Sequence, residues 1–147
     1  MMKTSIREFW REDTGSARCV LTYKTASGIT LHGVGTAECH PDDSAFMSQL
    51  TGGIIAEYRA EIDLIKKINN YEIKPGIVAL KHVYCTMLHS THYNPKSYEA
   101  IRIKKELAHL MDELEENKNT IKEIKATLDK YIQEKDDFYK KVKEGQN

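Results

Sequence analysis

Residues 98–142 read YEAIRIKKELAHLMDELEENKNTIKEIKATLDKYIQEKDDFYKKV, and their apolar positions decide the architecture. Ile103, Leu107, Leu110, Leu114, Ile121, Ile124, Leu128, Tyr131, Phe138 and Val142 follow one another at steps of three, four or their sum. That is the stripe of a coiled-coil helix. Neither proline nor glycine interrupts it between Pro95 and Gly145, so a single helix of about 48 residues, roughly 70 Å at 1.5 Å per residue, is expected. A stripe this long needs a cover, from a second copy of the chain or from another of its own helices. The spacing therefore predicts a protein whose C-terminal helix is coiled-coil-like and dimerising.

With Leu107 at heptad position a, Asn117 falls at d and Lys135 at a. Such polar interruptions cost stability but fix register. Glu106, Glu113 and Glu134 stand at g and Lys104, Lys118 and Lys125 at e; a parallel partner would set Glu113 against Lys118. Exposed pairs of this kind contribute only about 0.3–0.5 kcal/mol each, so core packing has the larger say. The alternative is an amphipathic helix that packs on its own domain and keeps a solvated face.

Lys plus Arg and Asp plus Glu stand at 22 each in 147 residues. A general duplex-DNA binder shows a basic excess, so no DNA partner is expected, although local basic patches remain open. The length suits one domain with an extension: residues 1–94 as a β-sheet core with the first long helix, residues 95–147 as the oligomerisation helix. Nowhere are there enough consecutive apolar residues for a membrane span, and the N-terminal stretch is not that of a signal peptide. The expected location is cytoplasmic. Cys19, Cys39 and Cys85 are an odd set, which fits reduced thiols on strands better than a disulfide framework. Cys39 and His40 with His82, Cys85 and His89 are the one group resembling a metal site, and they lack metal-ligand spacing.

Working back from the long helix, Arg18 to Lys24 and Ile29 to Val34 are β-rich runs around the turn Thr25-Ala26-Ser27-Gly28, a β-hairpin. Gly33 and Gly35 mark a bulge or a close backbone approach. Pro41 ends the strand, and Asp43 or Ser44 can cap a helix from Ala45 to about Tyr71. Its apolar positions are Phe46, Leu50, Ile54, Tyr58, Ile62 and Ile65; Gly52-Gly53 predicts a later start or a kink. Lys74-Pro75-Gly76 reads as a turn, and Ile77 to Met87 as a third strand with β-branched and aromatic content. The fold class is α+β: a small antiparallel β-sheet core with two long α-helices.

Chemistry is expected in His89–Tyr98, dense in polar and aromatic groups. Asn94-Pro95 has the look of an N-cap and first helical residue, and the helix start with Lys96 and Arg102 makes an anion site. Tyr84, Tyr93 and Tyr98 offer faces for a base. A capped helix with ordinary surface residues would carry the same sequence. His89 and His92 with Asp42 or Asp43 are imaginable as acid–base machinery, but no nucleophile motif, Walker loop or carboxylate cluster accompanies them. No enzyme activity and no cofactor is expected.

The succession of a hairpin, GVGTAECHPDD at 33–43, IAEYRA at 55–60, HVYCTM at 82–87 and NPKSYEAIR at 94–102 resembles the first family of Thoeris anti-defence proteins of bacteriophages, over about residues 17 to 130. The resemblance implies a sponge. Such proteins form interlocked dimers or trimers of dimers and sequester glycocyclic ADP-ribose, a cyclic ADP-ribose immune signal, without degrading it. Some also hold cyclic oligonucleotides at separate sites. Carried onto this chain, Arg59 would neutralise phosphate, Tyr84 at the end of the last strand would stack on adenine, and Asn94 would hydrogen-bond the ligand. Lys96, Tyr98 and Arg102 would complete the site. With no second arginine beside Arg102, Lys104 and Lys105 are poor substitutes for a bidentate fork. Two other classes compete: a small nucleic-acid-binding module of the double-stranded-RNA-binding kind, and a structural coiled-coil adaptor.

Overall fold

A computed structural model of the chain describes residues 5–11, 15–38 and 49–145. Three strands, β1 (Ser5–Arg11), β2 (Ser16–Lys24) and β3 (Thr30–Ala37), form an antiparallel sheet in the order β1-β2-β3. Helix α1 (Gln49–Ile68), a π-helical turn (Asn69–Ile73) and helix α2 (Lys74–Leu88) follow without a non-helical residue between them, and α3 (Tyr98–Gly145) closes the chain. The class is α+β, and the long uninterrupted helix is present over 48 residues. The chain divides into two compact units, one of Met1–Lys67 with Ile121–Asn147, the other of Ile68–Thr120.

In the first unit the predicted hairpin is present. Cys19 pairs with Gly35 and Leu21 with Gly33. Thr25 closes the turn from both backbone and side chain: its N–H donates to the Ile29 carbonyl at 2.8 Å, and its Oγ1 accepts from the Ile29 N–H at 3.0 Å. Gly28 sits in the turn at φ +88°, where a side chain is strained. Ala17, Cys19, Leu21, Leu31 and Ala37 are buried, alternate residues of β2 and β3 and hence one face of the sheet. Helix α1 lies against it. A Cβ on Gly35 would run into the Ala56 carbonyl and the Ala60 amide, and one on Gly33 into the Ala60 carbonyl and Leu64. The glycines are where backbone meets backbone, the close approach that the sequence suggested, and Ala56 and Ala60 are fully buried on the helix side.

Strand β1 was not foreseen. Its register runs from Ser5 opposite Thr22 to Arg11 opposite Ser16. The predicted break at Pro41, the cap at Asp43 or Ser44 and the helix start at Ala45 lie outside the described residues, as do Cys39, His40 and Phe46. Gly52 and Gly53 are inside α1, Gly52 buried.

The segment 77–87 is not a strand. Ile73 and Ile77 are buried and Leu80, Tyr84 and Met87 half-buried, steps of four, three, four and three that belong to one side of a helix. Packing of that stripe outweighs the β-propensity of Val78, Val83 and Thr86. Lys74-Pro75-Gly76 is likewise not a turn. Pro75, at the start of α2, has no N–H to give to the preceding turn, and the helix accommodates it with a π turn in which the Lys74 N–H reaches back five residues to the Asn69 carbonyl. Cys85 is accordingly an exposed helical residue rather than a strand thiol, while Cys19 is buried on β2.

In the second unit α2 and α3 run antiparallel. Asn117 Nδ2 donates to Asn69 Oδ1 at 2.9 Å, the site of a Cβ on Gly76 lies 3.1 Å from Leu110 Cδ1, and Lys104 Nζ stands 5.7 Å from the centre of the Tyr84 ring. Positions rise on one helix as they fall on the other. The first half of the seam is therefore covered within the chain, by an antiparallel helix, and its polar break at Asn117 meets a second asparagine that is itself buried. Further along, Ile121, Leu128 and Tyr139 are buried, but Phe138 is 61% exposed. The seam slips by one residue there. Lys135, the other break, places Nζ 3.2 Å from Asp136 and 5.6 Å from the Tyr139 ring centre.

Candidate functional site

Tyr84, Asn94, Lys96, Tyr98 and Arg102 all fall in the second unit, around the connection from α2 to α3. That connection is a succession of tight turns. The Tyr93 N–H donates to the Ser90 carbonyl at 3.2 Å and the Ser97 N–H to the Asn94 carbonyl at 3.0 Å. Asn94 Oδ1 accepts from the Lys96 N–H at 3.0 Å, an Asx turn. Ser97 Oγ accepts from the Ala100 N–H at 3.3 Å, so Ser97 is the N-cap of α3 and Asn94 is not. The helix-start amides expected to meet an anion are thus partly used by the turn itself, and Lys96 precedes the helix rather than lying inside it.

Tyr84 projects from helix α2, not from the end of a strand. Its hydroxyl shares a hydrogen bond with that of Tyr93, which draws the Tyr84 phenol below its ordinary pKa; burial opposes this, and Lys104 acts in the same direction as Tyr93. Tyr93, as the donor, is pushed up by the same bond. Lys104 lies over the Tyr84 ring as a cation–π partner. These three side chains form the best-defined polar cluster of this end of the helix pair. Arg102 is tied loosely to Glu106, 3.8 Å away, and Tyr98 is 74% exposed.

The chemistry of the cluster is cationic and aromatic. From Ile73 to Tyr98 there is not one Asp or Glu, while Lys74, Lys81 and Lys96 and the histidines at 82, 89 and 92 punctuate the same stretch. Local basicity of this kind inside a neutral chain was legible in the sequence had charge been read by segment instead of in total. A stacking ring, an ammonium over it and an α2 and connection without carboxylates can hold an anion that carries an aromatic base, with Glu99 and Glu106 standing on the α3 side. Among the described residues no three of His, Cys, Asp and Glu are grouped for a metal ion.

Arg59 belongs to the other unit and has a neighbour of its own. Nη1 donates to the Thr36 carbonyl at 2.7 Å. One turn on, Asp63 Oδ2 accepts from the Val34 N–H at 2.8 Å, and one turn further Lys67 Nζ donates to the His32 carbonyl at 2.6 Å. Asp63 and Lys67 are also an ion pair at 3.0 Å. Residues 59, 63 and 67 thus satisfy three outward-facing backbone groups of edge strand β3. Asp63 and Lys67 went unnoticed in the sequence, where their only mark is an i, i+4, i+8 run of charges. Among the described residues no helix is long and apolar enough to cross a membrane. No family model matches the chain, and neither a curated protein nor a solved structure does.

Proposed function

We propose that this chain is a non-catalytic protein that binds and sequesters a cyclic ADP-ribose-type nucleotide signal in the bacterial cytoplasm, thereby blocking the Thoeris effector that the signal would activate. The observation that carries the proposal is the Tyr84, Tyr93 and Lys104 cluster beside the carboxylate-free stretch from Ile73 to Tyr98. Adenine stacks on the Tyr84 ring, the Lys104 and Lys96 ammoniums meet the diphosphate, and the Asn94 amide group supplies a donor to the ribose. The resemblance of 33–43, 55–60 and 94–102 to the phage family adds the identity of the ligand. Arg59 is left with the β3 edge.

A sponge must hold its ligand below micromolar concentration, which needs more than about 8 kcal/mol. Charge-assisted phosphate contacts and stacking on a rigid helix pair are of that order. A homodimer belongs to the same proposal: Val78, Val83, Leu88, Ile101 and Met111 are exposed apolar side chains of the second unit and give a second copy something to bury.

The test is retention. Protein is incubated with glycocyclic ADP-ribose, freed of unbound ligand and heat-denatured, and the supernatant is analysed by mass spectrometry. Stoichiometric intact ligand is expected, and Tyr84→Ala should weaken retention by at least about tenfold, the worth of one base–aromatic stack, without changing the oligomer. A converted product, or no retained ligand, rejects the proposal.

A further inference from the structure

The first unit offers a second, separate surface. Helix α1 covers the sheet face to which Ala17, Cys19, Leu21, Leu31 and Ala37 belong. The opposite face is made by Ser16, Arg18, Val20, Thr22 and Lys24 of β2 and by Thr30, His32, Val34 and Thr36 of β3. Arg18, Lys24, His32 and Thr36 are exposed, and Val20, Thr22 and Val34 are half-exposed. The register pairs Arg18 with Thr36, Val20 with Val34, Thr22 with His32 and Lys24 with Thr30. It also sets Ser5, Arg7, Phe9 and Arg11 of β1 opposite Thr22, Val20, Arg18 and Ser16. None of these positions carries a carboxylate, in a chain where acids and bases are equal in number.

We infer that this sheet face binds a single-stranded nucleic acid through its phosphodiester backbone. Arg18 and Lys24 are six residues apart on one strand, about 20 Å at 3.4 Å per residue, so together they track a backbone and not a single phosphate. The hydroxyls of Thr30 and Thr36 lie along the same track as further phosphate donors. Thr22 Oγ1 stands 3.3 Å from His32 Nδ1, which orients the imidazole with its other nitrogen free for a ligand. The paired valines at the centre give a splayed base an apolar contact, and a flat sheet face is the kind of surface on which unpaired bases lie. Two valines are too little apolar area to enter a bilayer, so a lipid surface is disfavoured.

The experiment is fluorescence anisotropy of a labelled oligouridine of about a dozen nucleotides with the full chain, at low and raised salt. Each phosphate contact to a single strand contributes a slope of about −0.7 in log K against log salt. Binding that falls about tenfold for a fourfold rise in salt is expected. The double variant Arg18→Ala, Lys24→Ala should bind about tenfold more weakly with a slope shallower by more than 1, its thermal transition unchanged because both side chains are exposed. Arg18→Gln with Lys24→Gln repeats the test should the alanines perturb the strand. No binding at low salt, binding indifferent to both double variants, or capture by phosphatidylserine vesicles without capture of RNA would overturn the inference. Retention of glycocyclic ADP-ribose by the same variants stays intact, so this site and the helix-pair site fail or survive separately.

Discussion

Two helix contacts in this molecule solve the same packing problem by opposite means. Where α1 meets β3, the sequence removes side chains: Gly33 and Gly35 lie under Ala56 and Ala60, and polar side chains on the flank hold backbone groups. Where α2 meets α3, the sequence keeps side chains and interlocks them, with one buried amide pair among aliphatic residues. The first contact is specified by what is absent and tolerates no addition. The second is specified by pattern and tolerates substitutions that keep the pattern.

Adding one methyl group to each region separates the two contacts most strongly. Gly35→Ala drives a Cβ into the Ala56 carbonyl and the Ala60 amide, neither of which can turn aside, and should cost about 3 kcal/mol or more. Gly76→Ala meets only the end of the half-buried Leu110 side chain, and should be neutral or stabilise by up to about 1 kcal/mol through helix propensity. Denaturant melts of the two variants decide it; equal losses would mean that the glycines do not mark different kinds of contact.

The amide pair gives a middle-sized effect. Asn117→Ala strands the buried Asn69 oxygen and should destabilise by about 1–3 kcal/mol. Replacing both with leucine should recover that loss while loosening register, visible as broadened amide exchange along α2 rather than as a lower midpoint.

The smallest effect separates the regions by pH. Burial, with Glu57 one turn earlier, raises the Glu61 carboxyl above its ordinary pKa. Between the ordinary and the raised value the folded chain binds more protons than the unfolded one, so stability rises as pH falls through the folded-state value, and the penalty is complete at neutral pH. Glu61→Gln should therefore stabilise by about 0.2–0.5 kcal/mol at pH 7, the scale of a like-charge i, i+4 pair, with the gain fading in acid. A constant gain across the range would assign it to packing instead.

What the sequence disclosed follows the same division. The α3 stripe, the hairpin and the close approach at Gly33 and Gly35 were legible because each is written in local spacing. The identity of 77–87 was not: its β-branched residues spoke louder than the stripe at 73, 77, 80, 84 and 87, which becomes decisive only with α3 alongside. The one-residue slip that buries Tyr139 and exposes Phe138 is equally a tertiary choice. For the site, Tyr84 was singled out on the wrong element, and its partners Tyr93 and Lys104 were noticed only as loose possibilities because an antiparallel pairing was needed to join them. Arg59 was read as a ligand's counter-ion, and its exposed guanidinium has a backbone partner as well. Its bond to Thr36 depends on a strand edge that no residue of α1 announces.

That strand edge has a consequence for assembly. A β-sheet is a template with two growing ends, and here one end is obstructed from within: the side chains of 59, 63 and 67 occupy three of the backbone groups that an incoming strand would need on β3. Strand addition is left with β1 alone, the other edge of the sheet among the described residues. A sheet with one open edge can pair with a single further sheet, so strand addition by itself ends at two copies.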